Sequence, residues 1–171
     1  MLTTDEEIEL DGLLYEQEIE EAKGHIQSFT ESTLHYFKAE PFHEVYYELL
    51  NRFAHGLIKR LMITMPPQHG KSEGSTRRLP AYMFGLNPDL KIGVASYSAT
   101  FASKFNRDIQ RIIDTPKYYD IFPDTTLNQS NVVSVSNGYL RNSEVFEIVE
   151  HEGSLRAVGR GGPLTGNTID V

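Results

Sequence analysis

The amino-acid sequence predicts an α/β fold with a mainly parallel central sheet that is flanked by helices. Short apolar segments alternate along the chain with longer segments in which apolar residues recur at helical spacing. The connections between them are short, and this alternation is typical of parallel strands joined by helices. The chain has 171 residues, of which 39% are hydrophobic and 23% charged, so it can bury a core of ordinary size.

The net charge of -8 is concentrated at the N-terminus. Residues 1–22 contain nine acidic residues and no Lys or Arg, and the rest of the chain has sixteen basic against fifteen acidic residues. The body of the protein can therefore tolerate a polyanion. We interpret the acidic segment as a solvated helix, and a docking arm for a partner protein is the alternative. The absence of cysteine excludes disulfides and thiolate metal sites.

The first 40 residues are predicted to form a helical, acidic segment. Residues 5–22 have the pattern of a weak helix, and Ser28 with Glu31 fits a capping box for a second, short helix that ends before Pro41. No apolar run approaches the roughly 20 residues that span a bilayer, and the acidic start is unlike a signal peptide. No membrane association is predicted.

After Pro41 the apolar spacing predicts a core-facing amphipathic helix. Its apolar residues are Phe42, Val45, Tyr46, Leu49, Leu50, Phe53 and Leu57. Residues 61–65 form a short apolar run ended by two prolines, which is typical of a buried strand. The chain from residue 70 to about residue 84 is predicted to be helical, with a kink at Pro80.

Residues 91–96, KIGVAS, predict a second strand. Ser98 can cap the next helix, which ends at Pro116. The apolar face of that helix consists of Phe101, Phe105, Ile109 and Ile112. Short β-like pieces are predicted at 132–135, 145–149 and 154–158. Another strand is expected to begin near Thr168.

Residues 62–75, MITMPPQHGKSEGS, predict a phosphate-binding loop. In such a loop a strand leads into a tight turn whose N–H groups point at phosphate oxygens, and a helix begins there. Lys71 would reach the β- and γ-phosphates, and the Ser72 hydroxyl would bind Mg²⁺. The strict motif requires glycine at Met65, so it is not matched, and the prediction depends on the strand and helix on either side. The alternative is a structural turn without a ligand.

Four motifs in series resemble the large terminase subunit of tailed bacteriophages and prophages. MPPQHGKSE resembles its variant Walker A loop, and VASYSATFASKFNRDIQ resembles the second strand and helix of its ATPase domain. YYDIFPD resembles the segment after that helix, and GRGGPLTGN resembles the glycine-rich stretch before the Walker B strand. Their order and spacing agree with the family over roughly residues 40–171.

The resemblance implies an ASCE-type P-loop NTPase domain over residues 41–171 that uses ATP and Mg²⁺ to drive DNA packaging. It implies double-stranded DNA, the portal protein and the small terminase subunit as partners, a homo-oligomeric ring, and work at the procapsid in the host cytoplasm. The phosphate cradle would consist of Gln68, His69, Gly70, Lys71 and Ser72. The family often has arginine where this chain has Gln68, which puts a γ-phosphate sensor there in doubt. We interpret His69 as a loop histidine that contacts backbone.

The end of the chain departs from the family pattern. Asp170 does not fit the Walker B aspartate, because only Ile169 precedes it as an apolar residue. The acid that organises Mg²⁺, the catalytic glutamate and the nuclease domain are expected beyond Val171. The chain is therefore expected to stop before the Walker B strand is complete and to be inactive by itself.

Five basic residues are candidates for further roles. Arg160 is predicted to be an arginine finger that reaches a neighbouring subunit, and Arg156 is the next candidate. Lys104, Arg107 and Arg111 fall on the outer face of one helix, where a solvated surface is the preferred interpretation and a phosphate-backbone or subunit contact the alternative.

The sequence leaves the adenine contact and the class of function open. The family usually contacts adenine just before the loop, where this chain has Phe42, His43 and Tyr46, but the helical spacing favours Phe42 and Tyr46 as core residues. The alternative functions are another ASCE ATPase, such as a helicase-like translocase, and a non-catalytic remnant that binds nucleotide.

Overall fold

The computed structural model describes residues 3–134, 136, 138–162, 166 and 168–171. It contains helices and the strands of one small sheet. Within these residues the helices are α1 (Thr4–Gly24), α2 (Ile26–Thr33), α3 (Pro41–Ala54), α4 (Leu79–Leu86), α5 (Ala99–Ile113) and α6 (Pro116–Ile121). The strands are β1 (Lys91–Ser96), β2 (Val145–Glu147) and β3 (Ser154–Gly159). The α/β class is therefore confirmed. No helix in this part of the chain is long and apolar enough to cross a membrane.

The sheet has the order β1-β3-β2 and is mixed. β1 and β3 are parallel, with Lys91 opposite Ser154, and the connection between them contains α5. β2 and β3 are antiparallel, because only a short turn joins them and the Ile148 N–H donates to the Gly153 carbonyl across it. The prediction of β1 is confirmed, whereas the mainly parallel sheet is reduced to one parallel pair.

The predicted buried strand at residues 61–65 is wrong. Exposed and half-buried residues alternate along it, as in an extended segment, but its backbone makes no hydrogen bond to other backbone groups in the described part of the chain. A groove of about 360 Å³ separates Leu61 and Ile63 from β1. A strand needs a partner at hydrogen-bonding distance, and this groove keeps the two segments apart.

The edge of β1 that faces this groove is only partly paired. The Gly93 N–H donates to the Val171 carbonyl at 2.8 Å, and the Asp170 N–H donates to the Lys91 carbonyl at 2.8 Å. Residues 168–171 therefore run beside β1, where a strand was expected to begin. The predicted piece at 132–135 is reduced to one bridge between Val132 and Arg141, and Val135 lies outside the described residues.

Three helices differ from their predictions. α2 begins at Ile26 and not at Ser28, because the His25 ring accepts the Gln27 N–H at 3.1 Å and caps the helix. The buried face of α3 consists of His43, Tyr46, Tyr47 and Leu50, and the residues Phe42, Val45 and Leu57, expected in the core, are exposed. α6 was not predicted, and the Thr115 side chain caps it by accepting the Tyr118 N–H.

The helix that follows the loop contains a π-helical segment, Glu73–Arg78, before α4. Its wide turn is closed by the Leu79 N–H, which donates to the Gly74 carbonyl five residues earlier. Pro80 follows directly and has no N–H to donate to the Thr76 carbonyl, so an ordinary α-helical ladder would be interrupted there anyway. In place of the kink predicted at Pro80, the helix has a π-helical turn just before this proline.

One hydrophobic core joins the N-terminal helices to the sheet. Ile19 and Ala22 of α1 and Phe29 of α2 belong to the same buried cluster as the sheet residues. The ring of Phe29 lies 5.4 Å from that of Tyr82 and 5.9 Å from that of Tyr118. Residues 4–18 of α1 are exposed, which confirms the interpretation of the acidic segment as a solvated helix.

Candidate functional site

The predicted phosphate loop lies between the extended residues 61–65 and a helical segment that begins at Lys71. Two residues in it have left-handed backbone: φ is 66° at Gln68 and 78° at Gly70. Glycine adopts such a φ readily, whereas glutamine adopts it at a cost that the surroundings must offset. A β-carbon at Gly70 would lie 3.3 Å from the Nε2 atom of His43, so glycine also permits close contact with α3.

The N–H groups of Gln68, His69 and Gly70 donate to no acceptor in the described part of the chain. The first N–H groups of a helix lack acceptors as well, and they carry the positive end of its dipole. Left-handed residues in a turn direct successive N–H groups to one side, which is the backbone geometry of anion sites. The loop is therefore suited to bind an anion.

Two exposed side chains follow the loop at the start of the helix. Lys71 has no acidic group within ion-pair distance among the described residues, and the Ser72 hydroxyl has no hydrogen-bond partner there. Such an unpaired cation and hydroxyl are available to a ligand. No group of three or more His, Asp or Glu residues that could hold a metal ion occurs in the described ranges.

α3 supports the loop through two side chains. The Glu40 N–H donates to Nδ1 of His43, so the proton of this ring lies on Nε2, which donates to the His69 carbonyl at 3.2 Å. The Tyr46 hydroxyl donates to the Lys71 carbonyl at 2.7 Å. Burial raises the pKa of Tyr46 and keeps this donor protonated.

Gly74 permits the close approach of Tyr46, because a β-carbon at this position would lie 2.6 Å from the Tyr46 hydroxyl oxygen. The Ser75 hydroxyl also donates to the Lys71 carbonyl at 2.7 Å. The Lys71 carbonyl thus accepts two hydrogen bonds, whereas the Lys71 side chain has no partner among the described residues. Sequence reasoning missed the supports from His43 and Tyr46, since they join residues 26 and 25 positions apart.

The side of α3 next to the loop lines a groove of about 310 Å³, together with residues 62–66 and His69. Phe42 is 46% exposed and Val45 is 68% exposed at this groove, so the core role expected of Phe42 is wrong, whereas Tyr46 is buried as expected. The Nδ1 atom of His69 lies 2.8 Å from the Pro67 carbonyl oxygen. His69 is therefore a loop histidine in contact with backbone, as the sequence predicted.

Arg160 is exposed and directly follows β3. Because Ser96 of β1 pairs with Gly159 of β3, Arg160 lies at the carboxyl ends of both strands. Arg156 is half-buried within β3. Of the glycine-rich stretch after Arg160, residues 163–165 and 167 lie outside the described residues. The structure does not bring Arg160 into contact with the loop, and its role as a finger stays a prediction.

No protein-family model, curated protein or solved structure matches this chain. The loop geometry and the sequence motifs are therefore the features that bear on function.

Proposed function

We propose that this chain binds ATP through residues 68–72 and is the ATPase part of a DNA-packaging motor of the large-terminase type. One observation carries the nucleotide site: an exposed lysine without an acidic partner stands at a helix start, next to three N–H groups that lack acceptors. In the free chain these N–H groups lie in an exposed to half-buried loop, where water can solvate them. A polyphosphate satisfies all of them at once.

The chemistry of each group fits a nucleotide with Mg²⁺. The N–H groups of residues 68–70 would donate to the phosphate oxygens, and Lys71 would add a charge-assisted contact to the outer phosphates. Mg²⁺ usually takes few protein ligands and completes its shell with phosphate oxygens and water, so the single hydroxyl of Ser72 is a sufficient protein ligand. The bound ion would neutralise part of the phosphate charge.

The groove beside α3 offers a place for the base. Its surface is mainly apolar, it includes His69 of the loop, and Phe42 and Met62 contribute accessible side chains. A flat aromatic base gains by covering such a surface. An adenine contact, which the sequence left as the less favoured alternative to a core role, would then involve Phe42. His43 and Tyr46 support the loop through hydrogen bonds to its backbone.

The finer fold assignment, an ASCE-type P-loop domain, belongs to the same proposal. It is supported by the parallel pair of β1 and β3, the helix between them, and the extended residues that lead into the loop. The packaging function is supported by the four motifs in series. Double-stranded DNA, the portal protein, the small terminase subunit and a ring of identical subunits are its implied partners, and Arg160 is its implied finger.

A comparison of ATP with adenosine tests the nucleotide site. We expect Mg·ATP to bind at least about a hundredfold more tightly than adenosine, because charged contacts to phosphate contribute about 1.5–3 kcal/mol each and adenosine has none. Isothermal titration of both ligands measures the ratio. Inorganic tripolyphosphate should compete with ATP. Equal affinities for ATP and adenosine would show that the loop is a structural turn and that only the apolar groove binds.

A further inference from the structure

A second surface with excess positive charge lies directly beyond the phosphate loop. It is a groove of about 460 Å³ between the π-helical segment, α5 and the turn after α2. Its basic residues are Arg77, Arg78, Lys104 and Arg111, and its acidic residues are Glu73 and Asp108. Four cations therefore face two anions, although the chain as a whole is acidic.

The two acids of this groove already pair with its arginines, mainly with Arg77 and Arg78 on the floor. Glu73 accepts from Arg77 and from Arg78 at 2.9 Å each. Asp108 accepts from Arg77 at 2.8 Å and lies 3.3 Å from Arg111. Both carboxylates are largely buried, with side-chain exposures of 24% and 18%, so they neutralise the floor and leave little charge to repel an anion.

The π-helical segment is what allows Glu73 to hold both arginines. Residues four apart share a face of an α-helix, but residues five apart do not. The i→i+5 hydrogen bonding of the wide turn brings Arg78 to the same side as Arg77. The floor is thus fixed in place by the helix that carries Lys71 and Ser72 at its start.

The rim of the groove consists of side chains that are open to solvent. Lys104 is exposed and has no acid within ion-pair distance among the described residues. Arg111 is 75% exposed at its side chain, and Tyr36 is 79% exposed on the opposite rim. Lys104 and Arg111 are two turns apart on α5, or about 10 Å along the helix axis.

We propose that this groove binds the sugar–phosphate backbone of duplex DNA, with Lys104 and Arg111 contacting successive phosphates. The cations are spread too far apart for one small anion, whereas a backbone presents phosphates in a row. The contacts offered are charges on long side chains, which position a duplex without reading its bases. The proposal rests on the packaging function above and names the surface that meets the DNA.

The test measures the affinity for a labelled duplex of about 30 base pairs. Binding is detected by fluorescence anisotropy at salt concentrations from about 50 to 200 mM. We expect the double variant Lys104→Gln/Arg111→Gln to bind about tenfold more weakly or worse at low salt. The slope of log affinity against log salt should fall by roughly two, since about 0.9 is lost per phosphate contact. Lys104→Gln alone breaks no ion pair that the described residues form, and it should lower the slope by about one.

The matched control is Lys59→Gln/Arg60→Gln, which removes the same two charges from an exposed surface outside this groove. This control should keep most of the affinity for the duplex. Equal losses in both double variants would mean that net charge alone drives binding, and would overturn the proposal. So would a wild-type chain that binds Mg·ATP but no duplex at low salt. If the wild-type chain does not bind Mg·ATP, the proposed nucleotide site is wrong. Failure of the nucleotide site can thus be distinguished from failure of the DNA-binding groove.

Discussion

Replacing Lys71 by alanine is expected to lower the affinity for Mg·ATP by a hundredfold or more and to leave the fold intact. Its side chain is exposed and meets no acid in the described part of the protein, so its charge contributes nothing to the core. Two charge-assisted contacts to phosphate would contribute about 3 kcal/mol or more, and each 1.4 kcal/mol is a tenfold change in affinity. The free energy of unfolding should change by less than about 0.5 kcal/mol.

Titration calorimetry with Mg·ATP measures the affinity, and urea denaturation measures the free energy of unfolding. Tyr46→Phe gives a graded comparison, because it removes only the hydrogen bond to the Lys71 carbonyl. We expect it to weaken binding by about two- to tenfold, in line with about 0.5–1.5 kcal/mol for one neutral hydrogen bond. A Lys71→Ala variant that binds as tightly as the wild type would remove the site from this loop.

Replacing Phe29 by alanine is expected to lower the free energy of unfolding by about 3–5 kcal/mol. Phe29 is fully buried, and its ring contacts those of Tyr82, Tyr118 and Phe122 at 5.4–5.9 Å between centroids. The substitution leaves a cavity at the point where α2 joins α4 and α6. Since whole domains are stable by about 5–15 kcal/mol, this loss is a large fraction of the total.

The control is Phe42→Ala, which removes the same side chain from a helix position that is 46% exposed. It should cost about 1 kcal/mol or less, because much of that ring is already in water. Urea denaturation measures the free energy of unfolding of both variants. The two values can be compared directly if the free energy depends on urea concentration with the same slope in both. Similar small losses for both would mean that α2 does not pack on the rest of the chain.

Local signals explain which parts of the fold could be predicted from the sequence. β1 matches the apolar run KIGVAS, and α5 begins after Ser98, which accepts the Phe101 N–H. Both depend on neighbours in sequence. α3 was placed correctly, but its buried side only in part: Tyr46 and Leu50 are buried as predicted, whereas Phe42 and Val45 are exposed. Apolar residues cover more than one face of this helix, and only the packing of Tyr46 and Tyr47 decides which face turns inward.

The features that the sequence did not predict depend on contacts between residues that are far apart in the chain. The residues 61–65 alternate as an extended segment should, but a strand also requires a paired neighbour, and no pattern within the segment provides one. Within the candidate site, the free Lys71 and the left-handed Gly70 fit the predicted loop. The supports from His43 and Tyr46 depend on contacts across the fold. The wide turn had a weak signal, in that Glu73 has arginines both four and five residues later.

Because one edge of β1 is only partly paired, neighbouring backbone amides of this strand differ in how easily they exchange hydrogen with solvent. Alternate N–H groups, including those of Ile92 and Val94, point toward β3, whereas those of Gly93 and Ala95 point toward the groove beside residues 61–65. Deuterium should therefore replace the proton of Ala95 much sooner than that of Val94, one residue away, because the first needs no opening of the sheet. A segment that came to lie in the groove would slow the exchange of Ala95 and leave that of Val94 unchanged, so this pair of amides reports on occupancy of the groove.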